Sequence, residues 1–358
     1  MPNHERLVLS PALAGRFDGI GDYSERLAAA LSVTAPASLV GRGSAGLPTW
    51  LALSDDLWRS QEFLPSAVCL QYYPHAFPGG DGRAVIGWLR NLRRRGVPVI
   101  TTMHAIWPPL NGSLRRAGAR FVLRRQARRF ITHSSHVVCT QERNIRELAE
   151  AGLIDANRVR LIPVGSNIER GELPPMEARS AHTLTLFGQP AAFHGPTMLA
   201  IAALLARRRG SVTLRWLNRS KDEARRVWSG ALGLPDTDVE FFGGLDIPHA
   251  SAVLVSGHLA LAPYVDGVST RRTTLVAHLQ HGRPVAGTDG ESTGVLLRDQ
   301  RALLLSPVGD VEGFIRHVER LLDDPAAGAM MAKAARALYE AEFAWPRIAA
   351  AYTSLLLE

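Results

Sequence analysis

The sequence predicts an α/β protein with two doubly wound domains, each built on a parallel sheet. The chain has 358 residues, more than one hydrophobic core usually holds, so we expect two domains. Short apolar runs alternate with helical patterns along the chain, which is typical of parallel sheets with helices on both faces. Residues 168–182 are poor in apolar side chains, contain a Pro-Pro pair and separate two strand-rich halves, so they are predicted to be a linker.

The elements are predicted from apolar runs and from apolar residues at helical spacing. Strands of the first half are predicted at Arg6–Ser10, Ala67–Gln71, Val97–His104, His136–Thr140 and Val159–Val164. Strands of the second half are predicted at Leu184–Phe187, Val212–Leu217, Val239–Phe242, Leu259–Ala262, Pro284–Gly287 and Ala302–Leu305. Helices are predicted between most of these strands, for example at Tyr23–Leu31, Leu114–Ile131, Gln141–Ala151 and Val311–Leu322. A final helix is predicted at Glu342–Glu358, with Pro346 in its first turn.

The composition indicates a cytoplasmic protein. Hydrophobic residues make up 46% and charged residues 21% of the chain, and no apolar run is long enough to cross a bilayer. The beginning of the sequence lacks the pattern of a signal peptide. Cys69 and Cys139 lie in apolar strand-like runs, so we expect buried thiols and no metal site.

The net charge of +8 comes almost entirely from arginine, and much of it lies in the predicted helix Ser113–Ile131. Its apolar residues, including Phe121 and either Leu123 or Val122, are predicted to share one face, opposite the arginines. That basic face is either solvated or in contact with an anionic membrane or a phosphate-bearing acceptor through Arg115–Arg129. The protein would then sit peripherally on the inner membrane face. No motif for specific nucleic-acid binding accompanies the charge.

A glycine-containing loop follows the first predicted strand. Gly19 and Gly21 precede a helical pattern, and backbone N–H groups at such a turn form an anion cradle. A common tight turn explains the same pattern equally well. The full dinucleotide fingerprint is absent because position 24 is Ser, which disfavours NAD.

Two arginines stand where a helix disfavours them. Arg271 and Arg272 are predicted to lie in the first turn of a helix that ends at Gly282, where each cation costs about 0.3–1 kcal/mol. A bound diphosphate would attract both the arginines and the helix end; otherwise the arginines face solvent or pair with acids such as Glu291. Asp266 is expected to stay ionised and to accept hydrogen bonds from hydroxyl groups, as a sugar would offer.

The sequence resembles glycosyltransferase family 4. The resemblance rests on the segments GIGDYSERLAAAL, GVPVITTMHAIW, VRLIPVGSNIE, VEFFGGLDIPHA and DGVSTRRTTLVAHLQHGRPVAGTDG, which keep the family's order along nearly the whole chain. It implies the GT-B fold, in which two Rossmann-like domains face a cleft and a C-terminal helix crosses back to the first domain. The implied division is an acceptor-binding domain at 1–172, a nucleotide-sugar-binding domain at 173–341 and the crossover helix at 342–358.

The resemblance also assigns site residues. It implies that His104 contacts the donor sugar near the reaction centre and that Asp266 is an acidic donor-site residue, and these two are the candidate catalytic residues. The candidate donor-phosphate residues are Gly19, Gly21, Gln189, His194, Arg271 and Arg272. The candidate residues for the donor sugar and nucleotide are Ser166, Asn167, Gly243, Gly244, Gly267, Val268, Ser269, Thr270, Thr273 and Thr274.

Three of these positions depart from the family pattern. Thr274 stands where many members carry a second carboxylate, and Gln189 and His194 stand where members usually have Arg and Lys. Our hypothesis is that Arg271 and Arg272 replace the lost pair as the clamp on the diphosphate.

The predicted activity is transfer of a sugar from a UDP-, GDP-, ADP- or TDP-sugar to an acceptor hydroxyl. The resemblance implies retention at the anomeric carbon, with no bound metal and no cofactor beyond the nucleotide sugar. Two alternatives are a catalytically degenerate GT-B protein that only binds a nucleotide or sugar, and an NDP-sugar epimerase or hydrolase.

Overall fold

The chain folds into two compact α/β units. The computed structural model describes residues 6–13, 19–42, 65–74, 83–107, 114–173, 176–177, 182–298 and 301–358. Unit 1 consists of Met1–Pro163 together with Trp345–Glu358, and unit 2 consists of Val164–Ala344. Unit 1 is therefore assembled from two separate stretches of the sequence.

The described part of unit 1 contains a six-stranded parallel sheet in the order β2-β1-β3-β4-β5-β6. Its strands are β1 (Arg6–Leu13), β2 (Ala37–Arg42), β3 (Ala67–Tyr72), β4 (Val99–Met103), β5 (His136–Cys139) and β6 (Val159–Leu161). Its helices are α1 (Gly19–Ser32), α2 (Arg83–Arg94), α3 (Leu114–Thr132), α4 (Glu142–Glu150) and, far along the chain, α12 (Trp345–Leu357). All residues of β3 and β4 are buried, as expected for strands covered by helices on both faces.

The described part of unit 2 contains a second six-stranded parallel sheet, in the order β12-β11-β10-β7-β8-β9. Its strands are β7 (His182–Phe187), β8 (Val212–Asn218), β9 (Val239–Gly243), β10 (Leu259–Ala262), β11 (Val285–Asp289) and β12 (Leu303–Pro307). Its helices are α5 (Gly195–Arg207), α6 (Lys221–Arg225), α7 (Ile247–Ser256), α8 (Thr273–Gln280), α9 (Val295–Arg298), α10 (Val311–Asp323) and α11 (Pro325–Leu338). Strand β10 lies in the middle of this sheet, so the loop that follows it emerges at the centre of the carboxyl edge.

The segment predicted as a linker is tied to unit 2. Gly171 N donates to Ser251 Oγ at 2.8 Å, and Ile168 packs against the core residues around α7. The guanidinium of Arg215, buried on β8, donates to the carbonyl oxygens of Met176 and Glu177 and pairs with Glu240 at 2.6 Å. These bonds attach the beginning of the segment to α7 and its later part to β8.

The predicted final helix starts later than expected. Glu342 and Phe343 belong to the π-helical turn Tyr339–Phe343, which continues α11. Ala344 is extended, with φ −68° and ψ 137°. The prediction of one helix over Glu342–Glu358 is therefore wrong for its first three residues. Helix α12 begins at Trp345, with Pro346 in its first turn, where a missing N–H costs nothing.

Helix α3 buries several of the apolar residues predicted to share one face, but not all of them. Leu123, Ala127 and Phe130 are buried in the core of unit 1, whereas Phe121 is 69% and Val122 56% exposed. The prediction that Phe121 belongs to the buried side is therefore wrong, and Leu123 rather than Val122 takes the core position. The side chains of Arg115 and Arg116 lie outside the described residues. Within the described residues, no helix combines the length and apolarity that a membrane span requires.

Candidate functional site

The loop between β10 and α8, residues 263–272, is called the arginine loop. Gly267 has φ +87°, and a Cβ at this position would lie 2.3 Å from Gly290 N, so the loop accepts only glycine there. Val268, Ser269 and Thr270 are buried, and Val268 N donates to Thr288 O at 2.8 Å. The loop is thereby fixed against the end of β11 and against Gly290, which follows this strand.

Arg272 is the N-cap of α8, and Arg271 precedes it, so their predicted place inside the first helical turn is wrong: they lie one and two residues before the first helical residue, Thr273. The first turn itself holds Thr273 and Thr274. Among the described residues, no side chain caps this helix end. Both guanidiniums still lie beside the positive end of α8, where an anion is favoured.

Both arginines pair with Asp266. Arg272 forms an ion pair with one carboxylate oxygen of Asp266, and Arg271 Nη2 lies 3.4 Å from the other, which also accepts from Ser292 Oγ at 2.9 Å. Burial pushes the pKa of Asp266 upward, but the two guanidiniums and the Ser292 hydroxyl outweigh it and hold the pKa below its usual value. Two cations and one carboxylate leave this cluster with one net positive charge.

Two donors of the arginine loop remain available. Arg272 Nε and Ser269 Oγ are buried and have no hydrogen-bond partner among the described residues. Buried donors are rarely left unpaired in folded proteins, because each unpaired donor costs about 1–3 kcal/mol. The loop therefore offers both charge and hydrogen-bond donors to an acceptor.

An aromatic platform supports Arg272. Its guanidinium carbon lies 4.0 Å from the centroid of the Tyr264 ring, and Tyr264 stacks on Phe193 with centroids 5.5 Å apart. The Tyr264 hydroxyl is 2.8 Å from Thr274 Oγ1, so the neutral residue at position 274 holds the platform. A guanidinium over an aromatic face is stabilised by about 0.5–2 kcal/mol.

Backbone hydrogen bonds join the segment after β7 to the arginine loop. His194 N donates to Pro263 O at 2.7 Å, and Val265 N donates to Ala192 O at 3.0 Å. His194 is the N-cap of α5, and its Nδ1 lies 2.8 Å from Thr197 Oγ1. Gln189 is exposed at the start of this segment. Gln189 and His194 thus lie on a segment bonded directly to the arginine loop.

Two other predicted segments lie at the carboxyl edge of the same sheet. Val164 N donates to Thr270 O at 3.0 Å, which places Ser166 and Asn167 a few residues from the arginine loop. Gly243 is the last residue of β9 and Gly244 follows it, and a Cβ on Gly243 would lie 2.3 Å from Lys221 N. The described contacts join this turn to the start of α6 and not to the arginine loop.

In unit 1, His104 directly follows β4. Its Nε2 lies 2.8 Å from Gln71 Oε1, and its ring contacts the Tyr23 ring at a centroid distance of 4.9 Å in an edge arrangement. Burial lowers the pKa of His104 to about 3, so the ring is neutral at physiological pH. Gly19 and Gly21 form the first turn of α1, whose Tyr23 makes this contact, and residues 14–18 of the glycine loop lie outside the described residues.

The structure adds residues that the sequence did not single out: Gln71, Tyr23, Tyr264 and Ser292. Gln71 could have been recognised as a candidate site residue from the sequence, because it is a polar residue near the end of an apolar strand. Tyr264 and Ser292 gave none, since their roles depend on the path of loops. Within the described residues, no group of three or more His, Cys, Asp or Glu side chains could hold a metal ion.

Comparisons with known proteins agree with this architecture. Residues 4–165 match the family profile of the glycosyl transferase 4-like domain. No curated protein sequence matches the chain. The chain is similar to sucrose-phosphate synthase from Thermosynechococcus elongatus, with a TM-score of 0.68, 16% identity and 98% of each chain covered.

Two further solved structures were determined with nucleotide ligands. HepE from Anabaena, in complex with UDP and glucose, has a TM-score of 0.68 and 14% identity, covering 98% of this chain and 99% of that one. A trehalose-6-phosphate protein from E. coli, bound with UDP-2-fluoro glucose, has a TM-score of 0.66 and 12% identity over 98% of each chain. At these identities the likeness is one of fold, and it spans nearly the whole chain.

Proposed function

We propose that the chain is a glycosyltransferase of the GT-B type that transfers a sugar from a UDP-sugar to an acceptor hydroxyl, with retention at the anomeric carbon. The match of residues 4–165 to the glycosyl transferase 4-like domain supports this proposal. The choice of uridine follows from similar structures that contain UDP or a UDP-sugar. The arginine loop is the observation that carries the proposal.

The arginine loop fits the chemistry of a leaving diphosphate. Negative charge develops on the diphosphate as the bond to the anomeric carbon breaks, and fixed positive charge lowers the barrier to that step. Arg271 and Arg272 supply this charge, and the Tyr264 platform and Asp266 hold Arg272 in place before the donor binds. Such preorganisation avoids reorientation during the reaction.

Asp266 has two functions in this proposal. Its carboxylate orients both guanidiniums, and it remains ionised, so it can accept hydrogen bonds from hydroxyl groups of the donor sugar. Gln189 and His194 flank the diphosphate in the proposal, and the turn at Gly243 and Gly244 lies toward the nucleoside. Neither the described contacts nor the comparisons support the predicted contact of Arg115–Arg129 with a membrane.

The decisive experiment compares two double substitutions. Arg271→Gln/Arg272→Gln should raise the Kd for UDP, measured by calorimetry, about 100-fold, because charge-assisted hydrogen bonds contribute roughly 1.5–3 kcal/mol each. Arg207→Gln/Arg208→Gln is the matched control: these neighbouring arginines of unit 2 also form ion pairs, with Glu319 and Asp323, but precede the amino end of β8. Equal losses in the two variants would contradict the proposal.

The reaction itself is tested with a panel of nucleotide sugars and acceptors. A thermal-shift screen of UDP, GDP, ADP and TDP identifies the nucleotide, since a ligand of the folded state raises the melting temperature. Product analysis should then show a glycosylated acceptor of retained configuration. Free sugar released without an acceptor would instead indicate a hydrolase, and binding without turnover a degenerate protein.

A further inference from the structure

The hydrogen bond between His104 and Gln71 has a defined direction. The Gln71 side-chain amide donates from Nε2 to Cys69 O at 3.4 Å, which leaves its Oε1 facing His104 Nε2 at 2.8 Å. A carbonyl oxygen only accepts, so the imidazole must donate from Nε2. The neutral ring then carries its hydrogen on Nε2, and Nδ1 is a lone-pair acceptor.

The Tyr23 ring packs against the imidazole of His104 and restricts its rotation. The Tyr23 ring packs at 77° to the His104 ring. Tyr23 also contacts the Trp345 ring, at a centroid distance of 5.2 Å. The Tyr23 hydroxyl lies 3.1 Å from the hydroxyl of Tyr352, which lies 2.6 Å from Thr102 Oγ1. His104 N also donates to Tyr72 O at 3.1 Å, so backbone and ring are both fixed.

The remaining ring nitrogen, Nδ1, is left for a ligand. His104 is half-buried, and Nδ1 has no hydrogen-bond partner among the described residues. Because burial lowers the pKa of this histidine to about 3, Nδ1 is unprotonated across the physiological range. A neutral acceptor of this kind bonds a hydroxyl group and repels an ionised phosphate oxygen, which is itself an acceptor.

We propose that Gln71 is a positioning residue that locks His104 in the Nε2–H tautomer, so that His104 Nδ1 accepts a hydrogen bond from a hydroxyl of the donor sugar. The inference rests on the proposed function for its ligand, although the tautomer itself does not.

The tautomer is tested by nitrogen-15 NMR of the histidine rings, with the His104 signal identified by its loss in His104→Asn. The wild-type ring should show a protonated Nε2 and an unprotonated Nδ1 from pH 5 to 8. Gln71→Leu removes the acceptor and should give exchange-averaged signals of both tautomers. Gln126→Leu is the matched control, since Gln126 is a buried glutamine of unit 1 that accepts from Tyr72 and not from His104. A hydrogen on Nδ1 in the wild-type protein would overturn the proposal, whether or not any variant folds.

The functional consequence is tested by binding of UDP-glucose and of UDP, measured separately. Gln71→Leu should raise the Kd for UDP-glucose about tenfold, equivalent to about 1.4 kcal/mol, and leave the Kd for UDP unchanged. Equal weakening of both ligands, or no weakening of UDP-glucose, would overturn the positioning role. If wild-type protein binds neither ligand, the proposed donor is wrong, and the NMR result still decides the tautomer.

Discussion

Asp266 shows how one carboxylate can organise two neighbouring cations. Its folded-state pKa lies below the usual value because Arg271, Arg272 and Ser292 outweigh the effect of burial. A depressed acid pKa contributes stability above the unfolded-state pKa, and that contribution is lost as the pH falls through the folded-state pKa. Asp266 should therefore stabilise unit 2 at neutral pH and not in strong acid.

We expect Asp266→Asn to lower the free energy of unfolding by about 1–3 kcal/mol at pH 7, because two partly buried guanidiniums lose their counter-charge. The difference between variant and wild type should shrink as the pH falls below about 4. Urea titrations at pH 7 and pH 3 measure both values. Glu312→Gln, at an exposed carboxylate, should change neither. A loss that is the same at both pH values would mean that the ionised form is not what stabilises the loop.

Residues of the candidate site could be predicted to lie together where they are close to one another in the sequence. Asp266, Arg271 and Arg272 could be predicted as one cluster because they lie within seven residues, but the Asp266–Arg pairing depends on the turn at Gly267. The contact of His104 with Gln71 joins residues 33 positions apart, through the pairing of β3 with β4. Without that register, no pattern in the sequence links them.

At the scale of elements, α12 is held to unit 1 by a buried chain of hydroxyl groups. Tyr352 on α12 links to Tyr23 on α1 and to Thr102 on β4, and all three side chains are buried. Ile348 and Leu355 of the same helix are buried as well. The helix thus combines an apolar face with polar contacts that specify its position.

We expect Tyr352→Phe to destabilise unit 1 by about 1–3 kcal/mol, since it leaves the hydroxyls of Tyr23 and Thr102 buried without their shared partner. The measurement is chemical unfolding followed by the fluorescence of Trp345, which contacts Tyr23. Ser354→Ala, on the exposed side of the same helix, should have no effect larger than about 0.5 kcal/mol. A change no larger than that of Ser354→Ala would contradict the role of the hydroxyl chain.

Two differences between the predicted and the observed elements, at β2 and at the start of α1, have physical explanations. Strand β2 is an edge strand whose sequence, ASLVGR, contains one Gly and few β-branched residues, so it lacks the long apolar run of the inner strands. Every other strand of the structure overlaps a predicted one. Helix α1 begins at Gly19, earlier than the apolar periodicity from Tyr23 shows, because its first turn contains two glycines.

At the scale of the whole molecule, the GT-B fold predicted from the sequence is confirmed by structures that are similar over 98% of the chain. The family resemblance is confirmed for residues 4–165, which match the glycosyl transferase 4-like domain. The compact units divide after Pro163 and after Ala344. The functional division after residues 172 and 341 stays a prediction. The fold could be predicted because its packing pattern survives many changes of side chain, as the 14–16% identity to structures of similar fold shows. The substrates could not be predicted, because the same changes of side chain alter specificity.

Removing residues 345–358 should affect unit 1 and spare unit 2. The deletion takes away Ile348, Tyr352 and Leu355, and each large buried side chain contributes about 1.5–3 kcal/mol. Hydrogen exchange should accelerate more than about tenfold in β1, β3 and β4, while β7, β10 and β11 keep their rates. Deleting residues 357–358 alone is the control, since both are exposed. Uniform acceleration across both sheets would show that the units do not unfold independently.

The split origin of unit 1 has a consequence for biosynthesis. On the ribosome, the strands of unit 1 emerge first, yet the helix that covers α1 follows only after all 181 residues of Val164–Ala344 have been made. Until then the apolar surface of α1 that receives Tyr352 stays uncovered, and nascent chains with such surfaces are prone to aggregate. Unit 2, continuous in sequence, can complete its own core first, so the half of the protein translated earlier is the half that matures last.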